Sequence, residues 1–307
     1  MGHHLHSGDR DRRTLRIGVA VTLGYVALAF AAGLVAHSLA LLSEAGHNFT
    51  DVLALLLSWY GLHLAARPAD ESRTYGYQRA GVMAAFFNVL LLFALTAVIV
   101  VEAVARWRRP VAVHSHLMLV VGGIGVAVNA VVAIALRHGS DVNLRAAFVH
   151  MVGDAVSSGL IIVGALVIAA TGASLADPLL SLIIAGFIAW TGWDVLRETI
   201  NILLEGAPRG MRPEEVAAGL RRLPGVENVH DMHIWSLGSH THALSCHICI
   251  ADIPPSESET ILRAAQQFLA ERYAILHTTI QFEYGLCALS EGCALLPAAA
   301  PPHSHPH

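Results

Sequence analysis

The chain has 307 residues, 55% of them hydrophobic and only 14% charged, with a mean hydropathy of +0.56. A soluble domain carries about 25% charged residues, so this balance excludes an ordinary soluble protein and points to a bilayer. The formal net charge of −4 gives no reason to expect a nucleic-acid partner, and the 19 histidines are the compositional hint of metal chemistry.

In chain order, residues 1–14 read as a polar, basic tail with His3, His4 and His6, and no cleavable signal peptide is expected. Six apolar runs follow, near 15–36, 38–65, 80–104, 115–136, 144–171 and 176–199. Each is about 20 residues or more, the length a membrane-crossing helix needs. The boundary between the first two runs falls near His37 and Ser38, and Asp177-Pro178 makes a natural start for the sixth. The whole of 15–206 is expected to form a six-helix transmembrane domain.

Arginine, the only basic residue besides histidine, sets the orientation. Arg10, Arg12, Arg13, Arg16, Arg67, Arg73, Arg79, Arg137 and Arg145 flank the spans on one side, against Arg106, Arg108 and Arg109 on the other. The positive-inside rule therefore puts both termini in the cytoplasm. After Leu204–Pro208 the sequence becomes that of a soluble domain, expected over 207–290: a helix at Pro213–Arg222, strands at Val229–Leu237 and His242–Ile250, a helix at Ser256–Arg272 and a strand at His277–Tyr284. This αββαβ order predicts a small α+β sheet with helices on one face. Residues 291–307 read as a disordered His/Pro tail. The four cysteines, Cys246, Cys249, Cys287 and Cys293, all fall in this cytoplasmic part, where a disulfide framework is not expected.

Two copies of one spacing lie inside apolar runs: His47-x-x-x-Asp51 in the second and His150-x-x-x-Asp154 in the fifth. A four-residue step places both side chains on one helix face. Ionisable groups within a bilayer are costly and mark ion or proton paths. Two imidazoles and two carboxylates make a complete tetrahedral set for a divalent metal such as Zn(II), with Co(II) and Cd(II) following, and they disfavour Mg(II), Ca(II) and Cu(I). The bland alternative is interhelical hydrogen bonding, His47 to Asp154 or Asp51 to His150. Glu44, Asn48 and Ser157 lie within a helical turn of these residues and read as pore lining or packing. Asn88 and Asn129 read as interhelical hydrogen-bonders.

With these residues in place, the chain resembles the cation diffusion facilitator family of metal/proton antiporters. The likeness rests on Ser43–Asp51, Arg145–Asp154, Tyr75-Gly76 with Arg79, Asp177-Pro178, Leu204–Pro208 and His230-Asp231-Met232-His233-Ile234-Trp235. The resemblance implies a homodimer with a six-helix transmembrane domain and a ferredoxin-like cytoplasmic domain, and its His/Asp–His/Asp form is that of the zinc-selective branch. Matching the family pattern puts a second metal site at His230, His247 and Glu283 on the three strands, with His233, His240 and His242 nearby. It also implies an Arg79–Glu205 charge link. The family's further site between spans two and three is not expected here, because that loop (67–75) has Asp70 and Glu71 but no histidine; the His-rich loop of some relatives is reduced to His138 and Asp141. Cys246-x-x-Cys249 is discounted as a clamp because a regular strand points the two to opposite faces. Cys287, Cys293 and the terminal His303, His305 and His307 remain weak zinc-capture candidates.

The expected function is proton-coupled export of Zn2+ from the cytoplasm across a bacterial plasma membrane, since metal binding needs neutral His and ionised Asp and so displaces protons. Zinc enters as substrate and as a bound regulatory ion, with no organic cofactor. An intramembrane zinc hydrolase is disfavoured by the absence of a His-Glu-x-x-His motif and by a filled ligand shell with no open position for water. A membrane-bound metal sensor without flux is the remaining alternative.

Overall fold

The computed structural model describes the backbone of residues 5–136, 142–238 and 241–284, and the side chains of 20–61, 63–134, 148–238 and 241–284. Six long helices come first: α1 (Leu5–Ala36), α2 (Leu39–Ala65), α3 (Ala80–Arg108), α4 (Ser115–Leu136), α5 (Val142–Thr171) and α6 (Ala176–Leu203). They are followed by α7 (Pro213–Leu220), β1 (Asn228–Ser236), β2 (His242–Cys249), α8 (Pro255–Tyr273) and β3 (Ile275–Glu283). The chain divides into two compact units, Met1–His63 with Met83–Glu198, and Leu64–Val82 with Thr199–His307.

In the first unit, α3, Ser115–Ile134 of α4, Phe148–Thr171 of α5 and α6 are long and apolar enough to cross a membrane. The six-span expectation is thus met outright by four helices among the described residues. α1 offers a shorter apolar stretch, Ala20–Ala36, and α2 carries Glu44, His47 and Asp51 within its length. The unit is built inside out relative to a soluble protein. Phe30, Trp59, Phe87, Val101 and Trp190 point outward, while Glu44, Asn48, Asp154, Ser158 and Asp177 are buried. Small residues let helices approach: a Cβ added to Gly125 of α4 would fall 2.2 Å from the Tyr25 hydroxyl and 2.7 Å from Ser158 Oγ.

The break between α1 and α2 falls at the residues where the apolar runs meet. His37 adopts a left-handed φ of 54°, and Ser38 Oγ accepts from Leu41 N at 3.2 Å, a helix N-cap. Asp177, in the first turn of α6, completes the cap. It accepts from Ser38 Oγ at 2.6 Å, Leu39 N at 2.7 Å and Ala40 N at 3.3 Å. Arg106 of α3 lies 3.9 Å from the same carboxylate and donates to the His37 carbonyl. A buried anion thus sits on a helix N-terminus with a guanidinium beside it, where the helix dipole favours negative charge. Asn88 Oδ1 and Asn129 Nδ2, expected to bridge helices, find no hydrogen-bond partner among the described residues.

The second unit contains a three-stranded sheet in the order β1-β2-β3, with β1 and β2 antiparallel and β2 and β3 parallel. The parallel pair needs a crossover, and α8 supplies it. Val216 and Leu220 of α7 and Ile261, Ala265 and Leu269 of α8 share one core with Val229, Ile234, Leu244, Cys246, Ile248 and Ile275 of the strands. Period-2 alternation on β2 sends Leu244, Cys246 and Ile248 to that core and Ser245, His247 and Cys249 to the opposite face. On β1 the register shifts between His230 and His233, which pair with His247 and Ser245. This is a one-residue bulge centred on Asp231, whose φ is 47°. The extra residue resets the alternation, so that both Val229 and Ile234 reach the core. Arg79 and Glu205, both in this unit, form the ion pair that the resemblance implies, at 3.0 Å. Their exposure keeps its contribution to stability small.

Candidate metal centre

The helical repeat of α2 stacks His47 over Asp51, and that of α5 stacks His150 over Asp154. The two helices turn these faces to each other. His47 Nε2 lies 3.6 Å from Asp51 Oδ2 in its own helix and 3.3 Å from Asp154 Oδ1 across the gap. His150 Nε2 lies 3.6 Å from Asp154 Oδ2 and 3.4 Å from Asp51 Oδ2. The imidazoles meet edge to face, with centroids 6.1 Å apart. Each histidine therefore touches both carboxylates, and the four side chains close into a ring.

These edges discriminate between two uses of the ring. Direct N–H···O bonds fall at roughly 2.7–3.2 Å. Four ligands at about 2.1 Å around a tetrahedral Zn(II) stand about 3.4 Å from one another. The four edges lie beyond direct hydrogen-bond length and near the second figure, but they run to both oxygens of Asp154, so they outline the group without fixing four donor atoms around one point. His47 Nδ1, Asp51 Oδ2 and Asp154 Oδ2 are buried with no hydrogen-bond partner among the described residues. Buried polar atoms in an apolar bundle are expensive without partners, so the ring is chemically complete only with a cation or added protons. The donor atoms of His47, Asp51 and Asp154 lie within 4.8 Å of one another. His150 stands at the rim of the group, its side chain 45% exposed against 4% for Asp154.

Next to the ring, Asn48 Nδ2 donates to the Glu44 carbonyl at 2.9 Å, which keeps that amide within its own helix. The Glu44 carboxylate accepts from Ser157 Oγ at 2.7 Å and Ser158 Oγ at 2.6 Å, both on α5. His47 also forms part of the wall of an apolar cavity of about 620 Å³, lined by Phe30, Leu42, Leu91, Leu95 and Ile99.

A second cluster occupies the solvent-side face of the small sheet. Register puts His230 opposite His247, and Cys249 beside Glu283. Glu283 Oε1 lies 2.8 Å from His247 Nδ1, and its Oε2 lies 3.2 Å from His230 Nε2. The two rings are 5.3 Å apart. The sheet thus brings together all three residues that the family pattern picks out. Two neighbours were not anticipated. Asp231, swung round by the bulge, lies 3.6 Å from His247 Nε2 and 3.1 Å from His233 Nε2. Cys249 Sγ lies 3.7 Å from His230 Nδ1. His230, Cys249 and Glu283 together offer donor atoms within 4.8 Å. Cys246 and Cys249 do point to opposite faces, as the strand geometry requires, so the pair is no clamp. Cys249 is disulfide-bonded, where no disulfide framework was expected, so its sulfur is not available as a thiolate ligand. Cys246 is a core residue whose thiol burial pushes up to about 12. His3, His4, His240, Cys287, Cys293 and the terminal histidines lie outside the described residues, as do His138, Asp141 and the side chain of His6.

In the loop between α2 and α3, Asp70 is occupied locally. Its carboxylate accepts from the Ser72 hydroxyl at 2.7 Å, the Tyr77 hydroxyl at 2.9 Å and the amides of Ser72 and Arg73 at 2.9 and 2.8 Å. These bonds, the Ser72 hydroxyl first, hold its carboxyl down to about 2. Asp70 is a turn residue here.

Comparison with known proteins agrees with this architecture. Residues 15–204 match the family described as cation efflux transmembrane domain, and residues 208–284 match ZT_dimer, described as cation efflux protein, cytoplasmic domain. The chain belongs to the cation efflux family. It is 35% identical to the zinc transporter ZitB of Escherichia coli over 97% of this chain and 95% of that protein. It is equally 35% identical to the cadmium, cobalt and zinc/H(+)-K(+) antiporter of Bacillus subtilis, over 92% of each chain. The same identity holds for the metal cation efflux system protein CzcD of Cupriavidus metallidurans, over 93% of this chain and 91% of that one. A solved structure of the metal-bound C-terminal domain of the CzcD transporter from that organism is 37% identical and covers 24% of this chain and 99% of that one, with a TM-score of 0.22.

Proposed function

We propose that this chain exports Zn2+ from the cytoplasm in exchange for protons, with Cd2+ and Co2+ as further cargo, and that His47, Asp51, His150 and Asp154 hold the metal in transit. The observation that carries this reading is the closed ring of four N···O edges between 3.3 and 3.6 Å. Two imidazoles and two carboxylates suit a borderline d¹⁰ ion, and two aspartates neutralise the charge of a dication without leaving a net charge in the bundle. The relatives named as zinc, cadmium and cobalt transporters support the same cargo.

Proton coupling follows from ligand chemistry. The imidazoles bind metal only when neutral and the carboxylates only when ionised, so a metal entering displaces protons and protons re-entering displace the metal. α1 to α6 form six spans with both termini in the cytoplasm of a bacterial cell, placed there by the arginine bias. The soluble unit over 207–290 is a ferredoxin-like cytoplasmic domain through which two copies associate, and His230, His247 and Glu283 bind a regulatory zinc on its open face.

The test is zinc flux in proteoliposomes loaded with a pH dye. Expected is zinc uptake coupled to proton movement in the opposite sense, abolished in Asp51→Ala and Asp154→Ala. A metal sensor would bind zinc at the sheet cluster and show no flux, and undiminished flux in both aspartate variants would sink the ring assignment.

A further inference from the structure

Two carboxyl side chains of the membrane unit are completely buried, Glu44 and Asp177, each at 0% exposure. Their surroundings are opposite. Asp177 sits on the α2 N-terminus with two backbone amides on its oxygens and Arg106 beside it, a site built for a permanent anion. Glu44 has no backbone amide on its carboxyl oxygens. Among the described residues its partners are two neutral hydroxyls, Ser157 and Ser158.

Four helices converge on this second carboxyl. α2 brings Glu44, one turn before His47. α5 brings Ser157 and Ser158, one turn after Asp154. α4 contributes Gly125, whose missing side chain leaves the space that the Tyr25 hydroxyl and Ser158 Oγ share. α1 brings Tyr25, only 4% exposed, whose hydroxyl is buried with no hydrogen-bond partner among the described residues. The titratable groups facing Glu44 are Tyr25 of α1, His47 of α2 and Asp154 of α5.

We propose that Glu44 is a proton-binding site of the transporter, separate from the metal ligands and read out through the ring. With the ring empty, the carboxyl lies buried near the Asp154 carboxylate and holds its proton, since a buried anion without a cation is costly. When a dication occupies the ring, its charge favours the ionised form. The O–H bond of Glu44 breaks, its electron pair stays on the carboxylate, and the proton is released to solvent. Glu44 thereby adds one proton to those that the ring ligands release.

This inference rests on the ring binding metal, and the experiment separates the two. Purified full-length protein in weakly buffered detergent is titrated with zinc alone, and bound zinc and released protons are counted together. Glu44→Gln is expected to bind zinc at the ring and to release about one proton fewer per zinc than the wild type. An unchanged proton count at equal zinc occupancy overturns the proposal. Loss of the missing proton in Glu44→Asp as well, where an ionisable group is retained, also counts against it. Ser158→Ala keeps the carboxyl and removes one donor to its ionised form. In that variant the midpoint of this proton's release shifts to higher pH, and an unshifted midpoint again overturns the proposal, whether or not the glutamine variant folds. If Asp154→Asn binds and releases as the wild type does, the ring assignment fails instead.

Discussion

The ring between α2 and α5 and the cluster on the small sheet use the same ligand types in opposite settings. In the ring, the histidines and aspartates face one another, and three of their buried polar atoms have no hydrogen-bond partner among the described residues. On the sheet, Glu283 already serves His230 and His247 at 3.2 and 2.8 Å, and Asp231 serves His233 at 3.1 Å. Water at an open face can satisfy what the protein does not, so the sheet cluster is stable with or without a metal. An apolar bundle has no such reserve. The proposed division of labour follows this difference, with transport assigned to the buried ring and regulation to the open sheet cluster.

The comparison breaks most directly at the ring. Removing a carboxylate with Asp154→Ala is expected to lower zinc affinity and transport by at least about 100-fold, more than the loss of an outer-shell partner costs, as read by zinc uptake in proteoliposomes. Glu283→Ala should remove one zinc from the bound count of the full-length protein and leave transport substantially intact. A transport loss as deep as that of Asp154→Ala would erase the division of labour. Asp231→Ala should weaken zinc at the sheet cluster by about 10-fold, because it removes a carboxylate standing beside the ligating histidines; competition with a chelating dye reads this.

Two smaller effects sharpen the contrast within the soluble unit. The Cys246 thiol, raised to about 12 by burial, stays protonated at pH 8. It should resist alkylation in the folded protein and react only on unfolding, as mass spectrometry would report. For Asp70, the folded carboxyl lies at about 2, below its ordinary value of 3.8. Its contribution to the turn is therefore fully present above that ordinary value and is lost as pH falls through about 2. The protection factors of the Ser72 and Arg73 amides, which correct for the intrinsic pH dependence of exchange, should fall over that window and hold steady above it.

How far the sequence reaches differs from residue to residue. The His-x-x-x-Asp pairs are legible because their spacing is local, and the αββαβ order is legible from period-2 and helical patterning. Asp231 was not, since its place depends on a bulge that alternation does not reveal; the run His230-Asp231-Met232-His233 only flagged the region. The Asp177 bond to Leu39 and the Glu44 bonds to Ser157 and Ser158 span separations of 138, 113 and 114 residues, beyond any local signal.

By itself, then, the sequence determined the membrane class, the ligand types of the ring and the αββαβ order of the soluble domain, because composition and short-range periodicity act within a few residues. Only the tertiary structure decided that four side chains from two helices meet at metal-like distances and that one buried glutamate rests on hydroxyls while a buried aspartate rests on amides. Those outcomes depend on which helix faces pack together, and packing is chosen by the bundle as a whole.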